Sequence, residues 1–311
     1  MTEQTDVRKS RSSAVGGTEV PFMNVPMSNT AQRSAGLAER VAERWEVDPT
    51  ERRDPVAAPA TQPAPAATAA GEPTRRHERE TPRGTVSVIV PARNEAANIG
   101  WVLNRIPDCV DEVILVDGES TDATLEMARA TLPSLRIVPQ QGPGKGSALR
   151  TGFLAAKGDY IVMIDADGSM SPREIPRYIH FLESGFDLVK GSRFTGGGGS
   201  LDITMLRRLG NRGLLALVNV MYQSTLTDLC YGFVAFNRNV LDQLDLRSSG
   251  FEIETEITVR ALLAGLRVAE VPTLELPRRT GQSNLRTFRD GHRVLRTLLR
   301  ERNGRPLGAA R

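Results

Sequence analysis

The sequence predicts an α/β domain with a mainly parallel central sheet and helices on both faces. Three observations carry this. Short apolar runs recur as VSVIV (86–90), EVILVD (112–117), LRIVP (135–139) and YIVMIDAD (160–167). Segments with apolar residues at helical spacing separate them. Polar residues cluster at or just after the ends of the runs, where a parallel sheet gathers its ligand site.

Taken in order, VSVIV is an apolar strand stopped by Pro91, and residues 95–106 read as a helix. EVILVD is the second strand and is followed by a helix opening at Ser120 or Thr121. LRIVP is the third, and a Gly-rich turn, GPGKGS (142–147), then leads into a helix ending at Ala156. YIVMIDAD is the fourth. Beyond it the alternation loosens: DLVKGSRF (187–194) reads as a strand, GGGG (196–199) as a flexible loop and residues 203–222 as a helix. DLCYGFVAFN (228–237) and a helix around residues 252–264 follow.

This domain is expected over residues 85–284. Residues 1–84 contain PVAAPATQPAPAATAA (55–70) and too few aromatic and β-branched residues to offset chain entropy, so a disordered Ala/Pro-rich tail is expected there. Within it LAERVAERW (37–45) has the spacing of a short helix or docking segment. Residues 285–311 are expected to form a basic amphipathic helix and a C-terminal tail. Arg286, Arg289, Arg293, Arg296 and Arg300 are spaced 3, 4, 3, 4 on one stripe, with Phe288, Val294, Leu295, Leu298 and Leu299 over the opposite side. Either the apolar side docks on the domain or the helix adheres to anionic lipid headgroups. The apolar stretch at 214–221 is a second interfacial element or core.

Composition excludes several classes. The 311 residues carry 40 Lys plus Arg against 37 Asp plus Glu, and the basic excess sits at the C-terminal end. Cys109 and Cys230 cannot build a disulfide framework, and His77, His180 and His292 are too scattered for a zinc cluster. No apolar stretch follows the N-terminal charges, and none reaches the roughly 18 to 20 residues of a membrane span. The expected location is cytoplasmic, soluble or peripheral. Aromatic residues do not interleave with the arginines, so no nucleic-acid partner is expected.

Glu95, Asp117, Asp165 and Asp167 all fall at or just after strand ends. Asp165 and Asp167 flank the small Ala166, so both carboxylates can turn toward one hard cation, leaving its other positions for phosphate oxygens and water. GPGKGS does not satisfy the phosphate-loop pattern, because Gly146 follows Lys145. Lys145 either faces a phosphate, with helix N-terminal amides assisting, or is a solvated turn residue. The GGGG run lacks the context of a dinucleotide fingerprint.

VSVIVPARNEAANI, LVDGESTDAT, GPGKGSALRTGF, DADGS, GSRF, TDLCYGF, GFEIETEI and EVP followed by RRTGQSNL occur in that order. The chain resembles family 2 glycosyltransferases of GT-A fold, within them the polyprenyl-phosphate branch of dolichol-phosphate mannose synthase type. The resemblance spans about residues 85–300. It implies that Pro91, Arg93 and Glu95, with Val116 and Asp117, line the donor nucleoside. Asp165, Ala166 and Asp167 match the metal and diphosphate motif. Arg193, Arg207 or Arg208, Arg278 and Ser283 match positions around the donor diphosphate and acceptor phosphate. Gly118, Ser169 and Asn284 depart from the family pattern of an Asp, a Gln and a Lys.

The implied activity is transfer of a hexose, with inversion, from a nucleotide diphosphate sugar to a polyprenyl phosphate, assisted by Mg²⁺ or Mn²⁺. The implied setting is the inner face of the plasma membrane, on an anionic surface. A phosphate acceptor is ionised near neutral pH and needs positioning by guanidinium groups rather than a base. A saccharide or small-molecule hydroxyl acceptor would need a base, for which Asp228 is the candidate. Asp228, Glu254 and Glu256 otherwise serve as structural partners of arginines. A non-catalytic nucleotide-sugar-binding scaffold is the alternative of another class.

Overall fold

The computed structural model describes residues 84–281 and 287–303. The tail expected over residues 1–84, apart from Gly84, lies outside them, as do Ser283 and Arg286.

Nine strands and eight α-helices are described. In chain order they are β1 (Val86–Ala92), α1 (Ala96–Leu103), β2 (Glu112–Asp117), α2 (Thr124–Thr131), β3 (Arg136–Pro139), α3 (Lys145–Ala155) and β4 (Tyr160–Met163). Then come α4 (Ile175–Glu183), β5 (Leu188–Ser192), β6 (Gly199–Ser200), α5 (Met205–Tyr222), β7 (Val234–Asn237) and α6 (Leu241–Leu244). The last are α7 (Ile253–Leu263), β8 (Val268–Pro272), β9 (Leu274–Glu275) and α8 (Thr287–Asn303).

Seven strands form the central sheet in the order β3-β2-β1-β4-β7-β5-β8, and only β7 runs against the rest. The β-pleat divides the strand residues between two cores. Val86, Val88 and Val90 face α1, α2 and α4, where Ile99, Ala128 and Tyr178 are buried. Ile89, Ile114 and Val116 face α3 and α7, against Leu149, Phe153 and Ile257. Gly152 seats α3 directly on the sheet, since a Cβ there would lie 2.3 Å from Ile89 Cγ2. Each fully buried Ile, Val or Phe contributes about 1.5–3 kcal/mol.

A third cluster joins α5 and α8 to α7 through Val218, Val259, Val294 and Leu298. The Tyr222 hydroxyl donates to the Leu298 carbonyl at 3.0 Å. The two helices therefore sit together beside the sheet, forming one wall above the carboxyl ends of the strands.

Several expectations shift. The helix after the second strand opens at Thr124, and β5 stops at Ser192 so that Arg193 leaves the sheet as a loop residue. Helix α4 and strand β8 have no counterpart in the sequence reading. The apolar side of α8 splits: Val294 and Leu298 are buried, whereas Phe288, Leu295 and Leu299 are exposed. Among the described residues no helix is long and apolar enough to cross a membrane.

Candidate active site

The loops after β1 and β2 are tied together before any functional group is considered. Asn94, in the left-handed region at φ 57°, accepts the Thr121 N–H at 2.8 Å, and the Thr124 hydroxyl accepts the Glu95 N–H at 2.8 Å. These bonds hold Glu95 at the edge of a cleft of about 810 Å³ above the strand ends. Asp165, Ala166 and Asp167 enter the same cleft just beyond β4, and Lys145 enters from the start of α3.

The Gly-rich turn before α3 has a packing origin. A Cβ on Gly146 would lie 2.4 Å from the Ser248 carbonyl oxygen, and the Gly146 N–H donates to the Ser249 carbonyl at 2.9 Å. Ser249 also takes the Ser147 N–H, at 3.4 Å. These helix-terminal amides therefore serve the neighbouring loop, in contrast to the phosphate role considered from sequence.

Among the carboxylates that line the cleft, Glu95, Asp165, Asp167 and Glu254 form one cluster with Lys145 and Arg278. Lys145 bridges Asp165 at 2.5 Å and Glu254 at 2.7 Å. Burial opposes its charge, but the two carboxylates hold its pKa above the usual value. Arg278 bridges Glu95 and Asp167, the latter at 3.1 Å. Ser169, at the departure from the family pattern, donates from both its N–H and its hydroxyl to Asp167 Oδ1, at 3.0 and 2.7 Å.

Burial, against the pull of Lys145 and with repulsion from Asp167 and Glu254, pushes the Asp165 carboxyl up to about 6. The folded state then binds a proton more tightly than the unfolded state does. The Asp165 contribution to stability accordingly falls as pH rises from 3.8 to about 6. Thermal melts of metal-free protein should show this decline, and Asp165→Asn should flatten it.

This cluster fits a divalent cation: its four carboxylates outnumber the two cations paired with them, and Asp165 and Asp167 retain 26% and 18% side-chain exposure. No group of three or more His, Cys, Asp or Glu among the described residues could hold a metal alone. An ion here would complete its shell from substrate oxygens, as Mg²⁺ commonly does.

Arg193 forms a second node. Its guanidinium pairs with both Asp228 oxygens, at 2.7 and 3.0 Å, and with Glu275 at 3.1 Å. Asp228 is fully buried, its own N–H donating to Glu270 at 3.0 Å. Cys230, on the same loop, lines the cleft, and burial with the nearby Glu254 and Asp228 charges pushes its thiol up to about 12. Iodoacetamide at pH 8 should therefore label Cys230 only after unfolding.

The structure brings Pro91, Arg93, Glu95, Lys145, Asp165, Ala166, Asp167, Arg193, Arg207 and Arg278 to one cleft. Val116 is not there: it is fully buried under α3, because the strand pleat turns it to that core. Asp117 is also outside the lining, its carboxylate accepting the Ser120 N–H at 3.2 Å to close a turn. Arg208 lies one helical step from Arg207, exposed, with its guanidinium 5.4 Å from the Phe194 ring centre. Asp228 stays behind Arg193, and Ser283 lies outside the described residues. Glu254 is the main group that sequence reasoning left out of the site.

Comparison with known proteins bears on this arrangement. The family described as "Glycosyl transferase family 2" matches residues 87–245. Glycosyltransferase AglJ of Haloferax volcanii is 33% identical over 69% of this chain and 71% of its own length. The chain belongs to glycosyl transferase family 2. The dolichol-phosphate mannosyltransferase of Pyrococcus furiosus is 31% identical over 65% of this chain, which spans 59% of that relative. The undecaprenyl-phosphate mannosyltransferase of Micrococcus luteus is 31% identical over 64% of this chain and 87% of its own. Among solved structures, glucosyl-3-phosphoglycerate synthase from Mycobacterium tuberculosis, in complex with Mn²⁺, UDP and glucosyl-3-phosphoglycerate, superposes with a TM-score of 0.58. Its identity is 29%, covering 72% of this chain and 81% of that one. The fold of this glycosyltransferase is GT-A, and the chain is an enzyme of the transferase class.

Proposed function

We propose that this glycosyltransferase moves a hexose from a nucleotide diphosphate sugar to a polyprenyl phosphate, with inversion at the anomeric carbon. The observation that carries the acceptor assignment is the state of Asp228. A hydroxyl acceptor needs a base, and the carboxylate expected to serve is fully buried with both oxygens on Arg193. A phosphate monoester needs none, because its second pKa is about 6. It needs cationic groups, which Arg207 and Arg278 supply along the cleft, while Arg193 stays paired with Asp228 and Glu275. Two of the relatives named above carry polyprenyl or dolichol phosphate in their names, which supports the same choice.

In this reading Pro91, Arg93, Glu95 and Ala166 hold the donor at one end of the cleft. Mg²⁺ or Mn²⁺, the latter bound in the solved synthase, would be held by Asp165 and Asp167 and would screen the departing diphosphate. Lys145 and Arg278 exchange carboxylate partners for phosphate oxygens as the donor enters. An acceptor phosphate oxygen attacks the anomeric carbon, the bond to the nucleoside diphosphate breaks, and its electron pair leaves with the nucleotide. Attack opposite the leaving group inverts the centre. At the other end Ile203 just before α5, Leu214 on α5 and Val294 on α8 give the cleft an apolar wall, suited to the first isoprene units.

The test is transfer from GDP-, UDP- and dTDP-sugars with Mg²⁺ or Mn²⁺, with and without a short polyprenyl phosphate. Lipid-dependent transfer is expected from one donor. Equal turnover onto a hydroxyl acceptor without lipid would remove the proposal.

A further inference from the structure

The start of α3 and the loop between α6 and α7 are built into each other. Gly144 and Gly146 stand on either side of Lys145, and neither could carry a Cβ: it would press into the carbonyl oxygen of Ser249 or of Ser248. The Gly146 and Ser147 N–H groups donate to the Ser249 carbonyl, at 2.9 and 3.4 Å. The backbone of Lys145 is therefore clamped on both sides by residues 248–249.

Glu256, on α7, holds that loop in turn. Its side chain is fully buried, and its carboxylate accepts the Ser248 N–H at 2.7 Å and the Arg247 N–H at 3.0 Å. Two guanidinium groups, Arg300 at 3.0 Å and Arg260 at 3.6 Å, balance its charge, as a carboxylate without access to water requires. Two residues earlier on the same helix, Glu254 takes the Lys145 ammonium at 2.7 Å. Positions two apart on a helix differ by about 200°, so the two side chains leave α7 in different directions. One meets the ammonium in the cleft, and the other reaches the loop behind the lysine backbone.

We propose that Glu256 is a positioning residue of the transfer reaction: through residues 247–249 it fixes the backbone of Lys145, so that the ammonium stands where the donor diphosphate arrives. Helix α7 thereby sets both ends of one lysine, the backbone through Glu256 and the ammonium through Glu254. Lysine is a point charge on a flexible four-carbon stem, so its placement depends on a backbone that does not move. A misplacement of about 1 Å, even from a change far from the chemistry, can cost on the order of 100-fold in rate. Neither Glu256 nor residues 247–249 line the cleft, so their effect on a donor passes through what they hold. This role rests on the place given above to Lys145 at the donor diphosphate.

The test is a double-variant cycle read by calorimetric affinity for UDP and for GDP, each with Mn²⁺, the tighter of the two serving as probe. Lys145→Met should weaken nucleotide binding by about tenfold, the scale of a lost charge-assisted contact. Glu256→Gln, which keeps one of the two accepting oxygens, should weaken it by about fivefold, and Gly146→Ala, which pushes on Ser248 from the other side, by at least as much. In the Lys145→Met background both changes should become silent, because the group they position is gone. Circular dichroism verifies that each variant is folded, and Gly146→Ala carries the test if Glu256→Gln is not. A structural role alone would lower the melting temperature and leave the nucleotide affinity of folded protein unchanged. That result, or losses that simply add in the double variants, as they would if the loop acted through Phe251 instead, would overturn the proposal. Normal nucleotide binding by Lys145→Met would remove the donor role of Lys145 itself, and the positioning role with it.

Discussion

Asp167→Asn is expected to reduce sugar transfer by about 100- to 1,000-fold, the size of loss seen when a group stabilising transition-state charge is removed. The fold should survive it. Asp167 is partly exposed, Ser169 can still donate to the retained carbonyl oxygen, and Arg278 keeps Glu95 as a partner. What disappears is one of two carboxylates able to hold a divalent ion at the donor diphosphate. A melting temperature within a few degrees of the unmodified enzyme, measured with the rate, would assign the loss to chemistry. A rate within threefold would mean that Asp167 does not serve the reaction.

Arg193→Ala is expected to destabilise the protein by about 3–5 kcal/mol, the cost of removing one partner from a buried pair. The guanidinium is the shared partner of fully buried Asp228 and of Glu275, and it also donates to the Cys230 carbonyl at 3.3 Å. Its removal leaves a carboxylate with no route to water and frees the loop that carries Cys230 and Tyr231 into the cleft. For a fold of this size the melting temperature should fall on the order of 10 °C. Adding Asp228→Asn should recover part of the loss, because the uncompensated charge goes with it. Additive losses in the double variant would show that the two side chains do not act as a pair.

The parts of the fold legible in the sequence are those encoded locally. VSVIV, EVILVD and YIVM are apolar runs of strand length bounded by turns, and the sheet buries them on both faces. The reversal of β7 between β4 and β5 is a pairing of residues far apart in the chain, for which no local signal exists. Strand β8, VAEVP, alternates in burial over only five residues, too short a pattern to stand out.

The site divides in the same way. Asp165 and Asp167 were legible because they follow directly on an apolar strand, whose end carries them to the sheet edge. Glu254 was not: in sequence it reads as a structural partner of an arginine, whereas its partner in the fold is a lysine. Only the fold brings it to Lys145, 109 residues away in the chain. Arg208 shows the converse: it neighbours cleft-lining Arg207 in sequence, but one step along the helix turns its side chain elsewhere.

The most direct test of the central claim is one competition reaction followed by ³¹P NMR. The enzyme would receive its preferred nucleotide sugar, Mg²⁺, a short polyprenyl phosphate and phosphoglyceric acid together. The account predicts that the polyprenyl monoester signal converts to a phosphodiester while phosphoglyceric acid is untouched. A monoester signal that persists while phosphoglyceric acid is glycosylated would contradict it.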